Sequence, residues 1–186
     1  HYPLRRQRQM CIRDRMQTYL STLLVFKVGM AVLTYVAAIV TIHLLGRPED
    51  IRLLVYVSGI TMIFDTFHLT LYGALRAIGD LRYEGIGIVG SQFLTLILGS
   101  VFLWFGLPLV YLILAFTIPS ALNVLFAGSV LIRKYQILPK LQFDRVVFKH
   151  LGIIAIPFAV AAVFARLYSY VDTMILSQFL GETAVG

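Results

Sequence analysis

Long apolar runs separate short clusters of charged residues along the chain. Between Glu84 and Arg133, 48 consecutive residues contain no Asp, Glu, Lys or Arg, a length of about 72 Å as one helix. A bilayer core about 30 Å thick is crossed by about 20 residues. This run therefore predicts two spanning helices joined by a turn at Gly106-Leu107-Pro108. Three further runs each predict one span, and they cover residues 18–44, 53–75 and 151–178.

The five runs are continuously apolar and do not alternate as the strands of a membrane barrel would. The composition agrees, because 59% of the residues are apolar and 13% are charged, against roughly 45–50% and about 25% in soluble domains. This composition excludes a soluble enzyme and a disordered tail, and the single cysteine, Cys11, excludes a disulfide scaffold. We predict an all-α polytopic membrane protein with five transmembrane helices.

Basic residues in the loops predict the orientation. The segment between the fourth and fifth spans carries one acid, Asp144, and five bases: Arg133, Lys134, Lys140, Arg145 and Lys149. Loops rich in Lys and Arg stay on the cytoplasmic side. We expect a multi-pass protein of the cytoplasmic (inner or plasma) membrane, with the N-terminus cytoplasmic and the C-terminal end external.

The two ends of the chain lead to a further expectation. The chain opens with His1 and stops shortly after a predicted helix, so it is interpreted as an internal piece of a longer protein. Residues 1–15 carry five arginines and differ from the rest, which suggests a non-native extension. The alternative is a basic cytoplasmic flank.

Polar residues inside the spans are the candidates for function, because a charge at mid-membrane is costly and usually faces a cavity or a partner. In three predicted helices these residues recur at helical spacing and share one face. The first helix has Lys27, Ala31, Thr34, Ala38 and Thr41; the second has Ser58, Thr61, Asp65, His68 and Tyr72; the fifth has Arg166, Tyr170, Thr173 and Ser177, with Asp172 on another face.

Each charged residue also has a simpler interpretation. Lys27 and Arg166 could extend their stems to the headgroups. Asp65 and His68 could bond to each other and only hold helices together, and Asp172 could be an interfacial carboxylate.

Motifs for catalysis, metal binding and nucleic-acid binding are not found in the sequence. Gly85, Gly87 and Gly90 have the spacing of a dinucleotide fingerprint, but they begin a membrane span. No cofactor, no metal site and no nucleic-acid partner is predicted. Pro119 and Pro157 lie inside predicted helices and allow kinks.

Two segments resemble a known transporter family. Pro157 followed by Val-Asp-Thr-Met-Ile-Leu-Ser-Gln-Phe-Leu-Gly at 171–181 resembles the opening helix of a lobe in the oligosaccharide flippases related to Wzx. Leu-Tyr-Gly-Ala-Leu-Arg-Ala-Ile-Gly-Asp at 71–80 resembles the end of that family's fourth helix and its cytoplasmic turn. The superfamily also contains multidrug and toxin extruders, and the resemblance covers about 16–186.

The resemblance implies an architecture and an activity. Family members have two lobes of six helices joined by a basic cytoplasmic loop, so the five helices correspond to helices three to seven. Residues 16–135 would be a partial N-terminal lobe, 136–150 the inter-lobe loop, and 151–186 the first helix of the second lobe. The family moves lipid-linked oligosaccharide on an isoprenoid phosphate or diphosphate by alternating access, for assembly of cell-surface polysaccharide.

Roles follow for the polar residues. A phosphate head crossing hydrocarbon needs cationic partners, so Lys27 and Arg166 are expected to bind it. Asp65, His68 and Asp172 are the candidates for coupling to H⁺ or Na⁺. Cavity-lining positions are expected at Ser58, Thr61, Tyr72, Tyr170, Thr173 and Ser177.

Three alternatives stay open. The first is an ion-coupled multidrug or toxin extruder of the same superfamily. The second is a membrane-embedded transferase acting on lipid carriers, although the longest loop offers only Asp144 and His150 as acid or base. The third is that the polar residues serve packing alone.

Overall fold

The computed structural model describes the backbone of residues 2–140 and 142–180, and the side chains of 15–140, 142–169 and 171. All regular secondary structure in these ranges is helical. The five helices are α1 (Tyr2–Leu44), α2 (Glu49–Ile78), α3 (Arg82–Trp104), α4 (Leu109–Arg133) and α5 (Arg145–Leu180).

Each helix contains a stretch long and apolar enough to cross a membrane. Among the residues whose side chains are described, this stretch is Arg15–Leu44 in α1, Arg145–Ser169 in α5, and the whole helix in α2, α3 and α4. The predicted all-α polytopic fold with five spanning helices is therefore confirmed for the described part of the chain. The longest helix, α1, has 43 residues and extends about 64 Å, well beyond the thickness of the bilayer core.

Two of the turns share a Gly-x-Pro pattern. Gly46 and Gly106 have φ values of 60° and 61°, a left-handed conformation that glycine adopts without a Cβ penalty. Pro48 and Pro108 then precede the first residue of α2 and of α4. The turn predicted at residues 106–108 is thus confirmed, and the turn after α1 is built in the same way.

The turn after α2 is closed by a glycine of the same kind. Gly79 has a φ of 86°, its N–H donates to the Arg76 carbonyl, and the Asp80 N–H donates to the Leu75 carbonyl at 3.1 Å. This pair of bonds is a Schellman motif. It ends α2 sharply and places Asp80 in the turn before α3.

The chain divides into two compact units, His1–Phe143 and Asp144–Gly186. Within the first unit α2 is central, because it contacts α1, α3 and α4, and α3 also packs against α4. The buried core lies toward the end of the unit that holds the Gly79 turn. Its members are Leu20, Leu71, Tyr72, Ala74, Leu75, Ala127, Leu131 and Ile137.

The chain that follows α4 is docked onto this core. Ile137 is buried, and its N–H donates to the Leu131 carbonyl at 3.1 Å. The Lys140 N–H donates to Ser21 Oγ of α1 at 2.9 Å. Hydrogen bonds therefore hold the segment 134–140 against α4 and α1 within the first unit.

The second unit contains α5. Asp144 caps this helix, since its Oδ1 accepts from the N–H groups of Val146 at 2.8 Å and Val147 at 3.2 Å. The cap explains why α5 begins at Arg145, six residues before the apolar run predicted from 151. The helix continues through Pro157.

Candidate functional site

A cleft of about 350 Å³ lies between α1 and α2, and Lys27 is its one charged lining residue. The Lys27 Nζ donates to the Thr66 carbonyl at 3.3 Å. Within the described residues, no carboxylate forms an ion pair with this ammonium. The remaining lining residues are Phe26, Met30, Ala31, Thr34, Tyr35, Ala38, Gly59, Met62, Ile63 and Thr66.

The first-helix stripe predicted from the sequence forms one wall of this cleft. Lys27, Ala31, Thr34 and Ala38 all line it, whereas Thr41 is not among the lining residues. The other wall comes from α2. There the Tyr35 ring lies against Gly59, where a Cβ would come within 2.6 Å of the ring carbons, so glycine allows this close approach.

The opposite side of α2 meets α4 through three polar pairs, which we call the α2–α4 ladder. They are Thr61 with Thr117, whose hydroxyl oxygens are 2.6 Å apart, Asp65 with Ser120, and Tyr72 with Asn123. The Ser120 hydroxyl donates to Asp65 Oδ1 at 2.5 Å. The Tyr72 hydroxyl donates to Asn123 Oδ1 at 2.9 Å. Hydrogen bonds of this kind hold helices together inside a membrane.

Tyr72 is the most tightly enclosed member of the ladder. Its side chain is 0% exposed, and a Cβ on Gly87 of α3 would overlap its hydroxyl. The sequence places Tyr72 on a cavity wall, whereas the structure buries it completely between three helices. Gly87 makes the burial possible because it leaves room for the hydroxyl.

Asp65 and His68 lie close together at the middle of the ladder. Asp65 Oδ1 is 3.6 Å from His68 Nδ1, and the side chains are 40% and 13% exposed respectively. His68 also contacts the edge of the Tyr72 ring, with 5.7 Å between ring centroids. The Asp65 carboxylate therefore accepts one short hydrogen bond from Ser120 and lies near the His68 imidazole. The rest of the side chain is partly exposed.

The predicted site residues do not converge on one cavity in the described part of the chain. Lys27 faces the α1–α2 cleft, while Asp65 faces α4 from the other side of α2. Ser58 lies half-buried on α2, and Arg166 is exposed on α5. The side chains of Tyr170, Asp172, Thr173 and Ser177 lie outside the described residues.

Sequence reasoning missed the α4 half of the ladder. Thr117, Ser120 and Asn123 recur every three residues inside the long charge-free run, and this spacing places them on one side of a helix. All three are nearly buried. Their spacing indicates a polar helix face, but it does not indicate which helix packs against that face.

A second missed cluster closes the end of the first unit beside the Gly79 turn. Asp80 Oδ2 accepts from Lys134 Nζ at 2.7 Å and from the Tyr135 hydroxyl at 2.5 Å. These two bonds lower the pKa of Asp80. The bond to Asp80 raises the pKa of Lys134, and it also raises the pKa of Tyr135. We call Asp80, Lys134 and Tyr135 the turn clamp, because it ties the end of α4 to the α2–α3 turn.

Two smaller openings lie elsewhere on the first unit. A groove of about 210 Å³ between α3 and α4 is almost wholly apolar and includes Gly87, Gly90 and Phe126. A polar pocket of about 150 Å³ lies near Ser21 and Lys140. Within the described residues, no three His, Cys, Asp or Glu side chains converge as metal ligands.

Comparison with known protein families gives one match. Residues 6–186 match the family described as polysaccharide biosynthesis protein. Because the match covers nearly the whole chain, the protein belongs to this family. The matched region begins at residue 6, within the 1–15 segment that the sequence predicts as a non-native extension. No curated protein and no solved structure matches the chain.

Family membership and the fold together give a coarse function. The protein is a multi-pass membrane protein with a role in polysaccharide synthesis.

Proposed function

We propose that this protein is a flippase, which translocates lipid-linked oligosaccharide across the cytoplasmic membrane by alternating access for cell-surface polysaccharide assembly. One observation carries the proposal most directly. It is the Lys27 ammonium, which lies in a largely apolar cleft between two spanning helices with no carboxylate partner among the described residues. A cation kept at such a position is costly unless it serves a partner.

The phosphate of the lipid carrier is the partner that this arrangement suits. An ammonium binds phosphate as a compact point charge with three donors, and low dielectric strengthens the attraction. Lys27 on the first unit and Arg166 on the second would each bind the phosphate or diphosphate head. The division of the chain after Phe143 supports α1–α4 as part of one lobe and α5 as the beginning of the other.

The acidic residues would couple transport to an ion. Asp65 is partly exposed and lies beside His68, and we propose both residues, with Asp172, for coupling to H⁺ or Na⁺. With the N-terminus cytoplasmic, the turn clamp and the basic segment after α4 lie on the cytoplasmic side, where Lys and Arg are expected.

A flipping assay with the full-length protein in proteoliposomes tests the cationic residues. Lys27→Ala and Arg166→Ala should each lower the flipping rate of a fluorescent lipid-linked oligosaccharide by about tenfold, equivalent to about 1.4 kcal/mol of lost phosphate interaction. Lys27→Arg is the matched control, because it keeps the charge and should retain most of the activity. Normal rates in both alanine variants and in the double variant would contradict the proposal.

The same vesicles distinguish a flippase from a drug extruder. An extruder of lipophilic cations would be hindered by the positive charge of Lys27, because like charges repel. Cation efflux that rises in Lys27→Ala, with no flipping by the unaltered protein, would favour the extruder.

A further inference from the structure

The α1–α2 cleft is much longer than a phosphate group requires. It runs along α1 from Lys27 to Ala38, about 16 Å at the helical rise. Lys27 is at one end and small or apolar residues continue from it. The cleft therefore has room for a ligand that has a charged end and an extended body.

Beyond Lys27 the walls present mainly carbon to a ligand. The two hydroxyl groups on the α1 wall are already engaged with backbone carbonyls. Thr34 Oγ1 donates to Met30 at 2.8 Å, and the Tyr35 hydroxyl donates to Tyr56 at 3.4 Å. The flexible thioethers of Met30 and Met62 lie on opposite walls and can adapt to an irregular chain. A hydrocarbon body matches this lining better than a sugar.

We infer that the cleft holds the prenyl units next to the phosphate of the lipid carrier, with the phosphate at Lys27. This inference rests on the proposed function and adds a binding site for the chain. Charge complementarity orients the ligand, because the anion meets the one cation at the Lys27 end. Burial of the prenyl units along the apolar wall then contributes affinity in proportion to the apolar surface covered.

The depth of Lys27 favours a carrier in transit over an ordinary phospholipid. Lys27 lies nine residues after the start of the apolar run at 18–44, so it is about 14 Å along the helix axis. This position lies within a hydrocarbon core about 30 Å thick. Phosphates of bilayer lipids stay at the surface, whereas the phosphate of a carrier that is being flipped passes this level.

Photolabelling of the full-length protein in nanodiscs tests the inference. The probe is farnesyl phosphate with a diazirine at the far end of its prenyl chain, and labelled residues are mapped by mass spectrometry. We expect adducts on α1 and α2 near Ala38 and Met62. Farnesol with the same diazirine, which lacks the phosphate, should label about tenfold less.

Two adjacent alanines provide a matched pair of variants. Ala38 lines the cleft, whereas Ala37 is exposed and is not among the lining residues. Ala38→Phe fills the far end and should lower labelling by about tenfold, while Ala37→Phe, at nearly the same depth, should stay within about twofold. Equal labelling in the two variants would overturn the inference.

A second pair on α2 guards against a folding defect in Ala38→Phe. Met62 lines the cleft and Leu69 does not, although both are exposed. Met62→Trp should lower labelling and Leu69→Trp should not. If both tryptophan variants are labelled as strongly as the unaltered protein, the prenyl chain of the probe does not occupy the cleft.

The outcomes separate this inference from the proposed function. Loss of labelling in Lys27→Ala with normal labelling in Ala38→Phe would keep the phosphate role and overturn the prenyl site. Loss in Ala38→Phe with normal labelling in Lys27→Ala would overturn the role of Lys27. Competition by phosphatidylglycerol as strong as by farnesyl phosphate would identify a general lipid site and overturn the inference.

Discussion

The two sides of α2 use polar residues in opposite ways. Toward α4, the three pairs of the α2–α4 ladder satisfy hydroxyl, amide and carboxylate groups against one another, and the helices pack closely enough to bury Tyr72. Toward α1, the cleft contains one ammonium, a largely apolar lining and unfilled space. Both sides have polar residues at helical spacing, so spacing alone does not distinguish packing from binding.

The difference lies in which partner each polar group has. In the ladder, every pair joins side chains of two helices, which is how polar residues hold helices together in a membrane. In the cleft, Lys27 donates to the backbone carbonyl of Thr66 and not to a side chain. A charged side chain without a side-chain partner is therefore the better candidate for ligand binding.

The largest effect on stability is expected at Tyr72, where the α2–α4 ladder is most tightly packed. Gly87→Ala places a methyl group against the buried Tyr72 hydroxyl, and overpacking of this kind costs roughly 1–3 kcal/mol. Gly90→Ala in the same helix is the control, because a Cβ there has nothing within 4 Å. Thermal unfolding in detergent should show a lower midpoint for Gly87→Ala only. Equal midpoints would mean that the packing at Tyr72 is looser than described.

A smaller effect on stability, but a specific effect on transport, is expected at Asp65. Asp65→Asn keeps an oxygen that can accept from Ser120, so the stability change should stay below about 1 kcal/mol. It removes the negative charge of the carboxylate, so the pH or sodium dependence of flipping should flatten. Thr61→Val, in the neighbouring pair of the ladder, should leave that dependence intact. An unchanged profile in Asp65→Asn would assign Asp65 to packing, like the rest of the ladder.

The smallest effect is expected at the turn clamp, which lies outside the spans and is open to water. Because the pKa of Asp80 is lowered, its contribution to stability is present above the ordinary value of 3.8 and is lost as the pH falls through the lowered value. Because the pKa of Lys134 is raised, its contribution is complete below 10.5 and is lost as the pH rises through the raised value.

Unfolding midpoints of the unaltered protein and of Asp80→Asn measure this contribution. The difference between them should be constant from about pH 5 to about pH 9 and should shrink toward either extreme. It should also fall in high salt, as expected for an exposed ion pair. A difference that stays the same at both extremes of pH would mean that the charge of Asp80 contributes little.

The sequence was sufficient for the helices and for one wall of the cleft. Charge-free length predicted the spans, Gly106 predicted the turn, and the spacing of three and four residues from Lys27 to Ala38 predicted a shared face. These features depend only on neighbours along the chain, which is why a periodic pattern contains them.

The partners across helices could not be predicted in the same way. That Asp65 meets Ser120, and that Tyr72 fits against Gly87, depends on which helices pack together and at what rotation. The turn clamp has the same origin, since Asp80 and Lys134 are 54 residues apart. Sequence periodicity describes each helix face but contains no information about the neighbour that covers it.

The contact between Lys27 and the Thr66 carbonyl also bears on turnover. At 3.3 Å the bond is weak. It still gives the ammonium one hydrogen-bond acceptor, which lowers the free-energy cost of an unpaired charge in hydrocarbon. In the proposed function, an arriving phosphate would replace the Thr66 carbonyl as the acceptor of the ammonium, and the ammonium would return to the carbonyl when the phosphate leaves. Under that proposal the site would bind the carrier and still release it, which repeated cycles of transport require.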